Sequence, residues 1–272
     1  MKKLIKAVVV IGLLGLSAGA NALNVGGVEW TPGVPSGGAD KDTTWRFEFN
    51  QWFTTGANAA PDGGALNPAN AINSTTATLG DVLQGVGEIY KFNGSNVLTN
   101  SLTGGAVGSF CNGCELTFAF GGFTVSGATS FSGGWLNLYV DSTPEFNVSD
   151  NPFAAANANR AIDGTPWLSL LVDESVFTTF TSFDSGSLSA YYHVTGGLAK
   201  DYFDTNSWGN TFLSDFLQSA SATFNLNQDG SRQVIATSTG QMFGESQSVP
   251  EPEYLALIGI GLLGFAAARR KA

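Results

Sequence analysis

The sequence predicts a mainly β protein. Its body reads as an antiparallel β sandwich or jelly-roll-like domain with one or two short helices, flanked by an N-terminal signal peptide and a C-terminal hydrophobic helix. Three observations predict this. Segments rich in β-branched and aromatic residues recur between Gly, Asn, Asp and Pro punctuation. Gly numbers 35 and Phe 20 while charged residues are only 12% of the chain, which is the make-up of a turn-rich β protein and not of a disordered one. No repeat of about 20–50 residues is apparent, which argues against a solenoid or propeller.

Residues 1–22 read as a signal peptide. Lys2, Lys3 and Lys6 form a basic start, an apolar run follows from Ala7 to Leu16, and Ala20 and Ala22 make an Ala-x-Ala cleavage site. The apolar run is about half the length that spans a bilayer. The mature chain is expected to begin at Leu23.

The body occupies residues 23–248. Strands are expected at Val25 to Thr31, Thr43 to Phe53, Val82 to Phe92, Leu116 to Val125, Trp135 to Val140, Pro166 to Val172, Leu188 to Thr195, Ala222 to Leu226 and Gln233 to Thr237. Gly121 and Gly122 mark a bulge in the fourth of these. Residues Ala57 to Thr78 read as a long loop. Helices are expected within Asn151 to Ile162 and over Asn210 to Ala220, where Phe212, Leu213, Phe216 and Leu217 share a helical face.

Residues 249–272 form a third unit. Pro250, Glu251 and Pro252 break any structure running up from the body. An apolar stretch from Tyr254 to Ala268 follows, then Arg269, Arg270 and Lys271. As a helix the stretch reaches roughly 22 Å, short of a bilayer core of about 30 Å, so snorkelling flanks or local thinning must complete a span. The basic end stays cytoplasmic and leaves the body outside. This order of motif, short helix and basic tail resembles the PEP-CTERM sorting signal of Gram-negative bacteria. The resemblance implies a transient inner-membrane anchor, processing near Pro250–Pro252 by the protease-transpeptidase exosortase, and a host that makes extracellular polysaccharide. Glu253 and Tyr254 stand where that family usually has small residues. The body, through Leu23 to Trp30, Gly85 to Tyr90 and Phe110 to Phe118, also resembles PEP-CTERM proteins of floc-forming bacteria. That likeness implies a role in holding cells and exopolysaccharide together.

Charge narrows the partners. The chain has formal charge −10, but six of its 12 basic residues lie in the end segments. All 22 acidic residues lie between Glu29 and Glu253, which leaves that region near −16. Such a surface repels nucleic acid, so no nucleic-acid partner is expected. No cofactor is expected either, beyond weak calcium binding at acidic or Asn-rich loops: Asp40 to Asp42, Asp201 to Asn206 and Asn225 to Asp229.

The motifs that carry chemistry are few. Cys111-Asn112-Gly113-Cys114 holds both cysteines, between flanks that read as strands. This favours a disulfide across a type I′ hairpin turn over a redox pair at a helix N-terminus. His193 is the sole histidine, and no Gly-x-Ser-x-Gly elbow accompanies it. On the alternating pattern it shares a face with Tyr191 and Thr195, opposite Tyr192 and Val194. One histidine rules out the usual multi-histidine catalytic metal site. Asp173 and Glu174 point to opposite faces of a strand, and no carboxylate spacing marks an acid–base pair. Asn225 to Gly230 resembles the opening of a calcium loop, but Ala236 stands at its twelfth position, so a hairpin turn is expected. The reading is an exported, non-enzymatic surface or matrix protein that promotes floc or biofilm cohesion with exopolysaccharide. The alternatives are a carbohydrate-active enzyme, or a carbohydrate-binding module that stacks sugars on Trp30, Trp45, Trp52, Trp135, Trp167 or Trp208.

Overall fold

A computed structural model describes residues 22–32, 41–93, 95–96, 110–127, 130–177, 185–225 and 234–247. Ala20, the Pro250–Pro252 motif, the hydrophobic helix, the basic tail and residues 226–230 lie outside them. The strands are β1 (Leu23–Val25), β2 (Val28–Trp30), β3 (Thr43–Thr54), β4 (Val82–Phe92), β5 (Ser95–Asn96), β6 (Glu115–Gly127), β7 (Ser130–Ser132), β8 (Trp135–Asp141), β9 (Thr165–Phe177), β10 (Ser185–Gly196), β11 (Phe216–Thr223) and β12 (Ile235–Gly244). Two short helices are α1 (Ala155–Arg160) and α2 (Lys200–Phe203).

Eight of these strands pair in chain order, all antiparallel: β3, β4, β6, β8, β9, β10, β11 and β12. β12 then returns to β3, from Ile235 opposite Trp52 to Gly244 opposite Thr43. The result is a closed up-and-down barrel, which corrects the expected sandwich or jelly roll. Inward–outward alternation is the same in both architectures. They differ in whether the two edge strands meet, and closure leaves neither edge exposed.

The interior is built from phenyl rings facing glycines. Trp45, Phe47, Phe49 and Phe53 of β3 point inward, as do Phe118, Phe120 and Phe123 of β6. A Cβ on Gly85 would lie 2.6 Å from the Phe120 ring, one on Gly87 2.5 Å from Phe118, and one on Gly240 2.5 Å from Phe47. Missing side chains on β4 and β12 thus make room for large ones on β6 and β3. A polar pair lies inside: the Tyr192 hydroxyl donates to Gln218 Oε1, whereas the Trp45 indole nitrogen is buried with no hydrogen-bond partner among the described residues.

A second core lies outside the barrel. Trp52, Val86, Ala119, Trp135 and Tyr139 point outward and are buried with Ala60, Leu66, Phe146, Val148, Ala158 and Ala161. Residues 57–78 are therefore a packed cover carrying three short 3₁₀ turns and not a free loop. Buried polar side chains hold the covers down. Gln84 accepts from Ala60 N at 3.0 Å, Asn50 donates to Val148 O at 2.7 Å, and Thr117 donates to Ala161 O at 2.9 Å.

Three expected elements change. The strand expected at Ala222 to Leu226 is displaced: β11 ends at Thr223, and Phe224 and Asn225 lie beyond it. Val25 to Thr31 is not one strand but the β1–β2 hairpin, because Gly26 and Gly27 both take positive φ (64° and 96°), the signature of a two-residue type I′ turn. Asn210 to Ala220 is not a helix. Leu213 has φ of 53°, Phe212 and Leu213 are exposed, and β11 alternates Phe216, Gln218 and Ala220 inward. The apolar spacing that suggested a helix joins a turn to the start of a strand. The helix expected within Asn151 to Ile162 is α1.

Candidate functional site

The β1–β2 hairpin plugs one end of the barrel. Trp30 stacks on Phe203 with ring centroids 5.0 Å apart, and meets Trp167 edge-on at 6.0 Å. Trp45, Phe92 and Phe216 complete the cluster. The Trp167 indole donates to Val25 O at 2.8 Å, and Glu29 N donates to Phe110 O at 2.6 Å.

The end of the body is tied to this plug. The Trp30 indole donates to Ser246 Oγ at 3.1 Å, while the Asp42 carboxylate receives Ser246 N at 2.8 Å and Ser246 Oγ at 3.0 Å. Lys41 reaches Glu245 at 2.8 Å and lies 4.7 Å over the Trp208 ring. Gln247 N donates to Tyr202 O at 2.8 Å, and its side-chain amide donates to Asp201 O at 3.0 Å. Residues 245–247 are thus fixed to the fold immediately before the Pro-Glu-Pro segment. Asp42, one of the acidic positions expected to attract calcium, has its carboxylate engaged here.

Cys111 and Cys114 lie at disulfide distance, with Cα atoms 5.2 Å apart. Only Gly113 of the intervening pair has positive φ (74°), so the turn is of the type II pattern and not the expected I′. β6 follows it, and Cys111 bridges Val28 of the plug.

His193 sits on the outer face with Tyr191 and Thr195, while Tyr192 and Val194 are buried inside, as the alternation predicts. Its Nδ1 lies 2.5 Å from Asp173 Oδ1, and Ser214 Oγ donates to Asp173 Oδ2 at 2.6 Å. The carboxylate is in the middle, with serine and histidine both bonded to it. A nucleophilic site needs the histidine in the middle, taking the serine proton. This arrangement instead joins β9, β10 and the turn before β11. Asp215 does similar work, receiving Val194 N, Thr205 N and Asn206 N at 2.6–2.8 Å. Burial pushes its carboxyl up, and these three donors oppose the rise.

The Glu115 carboxyl is strongly perturbed. It is wholly buried on the outer wall, and burial raises it from 4.5 to about 7. Donors from Glu145 N and Phe146 N pull it down, while Asp141 and Glu88 push it further up. Glu115 lies beneath the backbone it holds, so its geometry is that of a loop clamp. Nothing in the sequence marked it; burial of a strand's first residue depends on which loop covers it.

Of the six tryptophans, Trp30, Trp45, Trp52, Trp135 and Trp167 are buried and Trp208 is half-buried under Lys41. They form no exposed stacking row. The barrel interior holds a cavity of about 50 Å³ between Phe49, Phe53, Phe120 and Phe224. Among the described residues no group of three or more His, Cys, Asp or Glu is placed to hold a metal ion.

Residues 248–271 match the PEP-CTERM protein-sorting motif, including Pro250, Glu251, Pro252, Arg269, Arg270 and Lys271. The chain therefore carries the signal of a protein processed by exosortase and exported to the cell envelope or surface. No curated protein and no solved structure matches the chain.

Proposed function

We propose that this exosortase-sorted barrel is a non-enzymatic surface or extracellular matrix protein that promotes floc or biofilm cohesion with exopolysaccharide. The observation that carries the reading is the junction of fold and address: residues 245–247 are fixed to the plugged end, and the sorting motif begins at 248. A rigid body joined to its address without slack suits a part that is displayed. The filled interior and the structural roles of Asp173, His193 and Ser214 support display over turnover. Deleting the gene and scoring cell aggregation tests it. Aggregation should fall, and should return with the full gene but not with one ending at Gln247. Unchanged aggregation, or release of reducing ends from host polysaccharide by the purified protein, overturns it.

A further inference from the structure

Among the described residues, the barrel wall is covered on one side only. Loops bury Gln84 and Val86 of β4, Thr117 and Ala119 of β6 and Trp135 and Tyr139 of β8, but the outer face remains partly or fully exposed over Ser187, Ser219, Ser221, Thr239 and Gln241. A groove of about 440 Å³ runs along this face, lined by Arg46, Tyr90, Ser187, Ser219, Thr239 and Gln241 among others. Register brings them together: Gln241 is opposite both Arg46 and Ser219, and Ser221 is opposite both Thr239 and Ser187. No carboxylate lines the groove, although the region from Glu29 to Glu253 is near −16.

The cations here differ from the rest. Lys41, Arg160 and Lys200 lie 2.8, 3.8 and 3.7 Å from carboxylates. Among the described residues, Arg46 and Lys91 have no such partner, yet they stand directly opposite one another on β3 and β4. Like charges in facing strand positions repel, so the pair is destabilising unless an anion sits between them. Glu48, the next outward residue of β3, faces Glu88 and bounds the site on that side. The side chains of Ser187, Ser219, Thr239 and Gln241 make no hydrogen bonds to described residues, which leaves their donors and acceptors to solvent or a ligand.

We propose that this groove binds a carboxylated sugar chain, a uronate-bearing segment of an acidic polysaccharide. Arg46 receives a carboxylate through its planar fork of donors, and Lys91, opposite Arg46 but outside the groove lining, adds a second positive charge nearby. The serine, threonine and glutamine side chains pair with ring hydroxyls, and the Tyr90 ring packs on a sugar face. The proposal rests on the exopolysaccharide reading and supplies the partner's chemistry.

The test is calorimetric titration of the processed protein, recovered from the cell surface, with hexagalacturonate and with neutral maltohexaose. Hexagalacturonate should bind, and binding should weaken at least about tenfold in Arg46→Gln, the loss of one charge-assisted bond. Thr239→Tyr, which fills the groove without altering charge, should weaken it comparably at an unchanged melting temperature. Arg160→Gln, on the covered side, should bind as the parent does. Equal binding of maltohexaose, or an equal loss in Arg160→Gln, overturns the proposal. The two readings separate cleanly. Cohesion that survives gene deletion while Arg46-dependent binding persists sinks the cohesion role alone; cohesion lost on deletion with no Arg46-dependent binding sinks the groove alone.

Discussion

Replacing Glu115 by glutamine should stabilise the protein at pH 8 and leave it unchanged near pH 4. The carboxyl is wholly buried and titrates at about 7 in the fold against 4.5 ordinarily. Below 4.5 it is protonated folded and unfolded, so it favours neither state. Between 4.5 and 7 the unfolded chain releases the proton and the folded one keeps it, so folding stability falls as pH rises. Above 7 the loss is complete. At about 1.4 kcal/mol per decade of proton concentration, the interval corresponds to roughly 3 kcal/mol. Glutamine keeps an oxygen for Glu145 N and Phe146 N and carries no charge, so it escapes the loss. Urea unfolding of both proteins at pH 4 and pH 8 measures the effect. The difference should grow from near zero to the order of 3 kcal/mol in favour of the variant, with the slope in urea unchanged. A variant less stable at pH 8 than the parent would refute the reasoning, because it would mean that the two backbone donors outweigh burial.

Gly87→Ala should test the ring-on-glycine packing. Its new Cβ falls 2.3 Å from Glu48 O and 2.5 Å from the Phe118 ring, and overpacking of this kind costs about 1–3 kcal/mol, or roughly 2–12 °C in melting temperature for a body of this size. Phe118→Leu in the same chain should recover part of the loss; a melting temperature unchanged by Gly87→Ala alone would count against the packing. Intact-mass analysis of protein from the medium or matrix should find a chain that begins at Leu23 and lacks Tyr254 to Ala272. Recovery of the complete tail there would contradict processing.

Most strands were legible because their cause is local. β4 lies where alternation and β-branching place it, and the bulge at Gly121 and Gly122 follows from two glycines breaking an alternating run. Closure was not legible. Whether β12 meets β3 depends on curvature summed around eight strands, while each strand's pattern reports only which side is apolar. The false helix at Asn210 to Ala220 has a related cause: four apolar residues at helical spacing also fit a turn with two exposed side chains followed by an alternating strand. The C-terminal sorting motif was legible from order and composition alone, because Pro-Glu-Pro, an apolar stretch and a basic end follow one another within residues 248–271. The Asp42–Ser246–Trp30 tie and the Arg46 groove join positions up to 216 residues apart, and no local pattern announces such pairs.

The tie at residues 245–247 also fixes a geometry of reach. An extended chain covers at most about 3.5 Å per residue, so Pro250 lies within roughly 11 Å of the Gln247 anchor and Pro252 within about 18 Å. A cut at the motif therefore falls close to the plugged end, within the reach of these few residues. Whatever the cut leaves joined to the body is thus held beside the Trp30 plug, at most these few residues' length away from it.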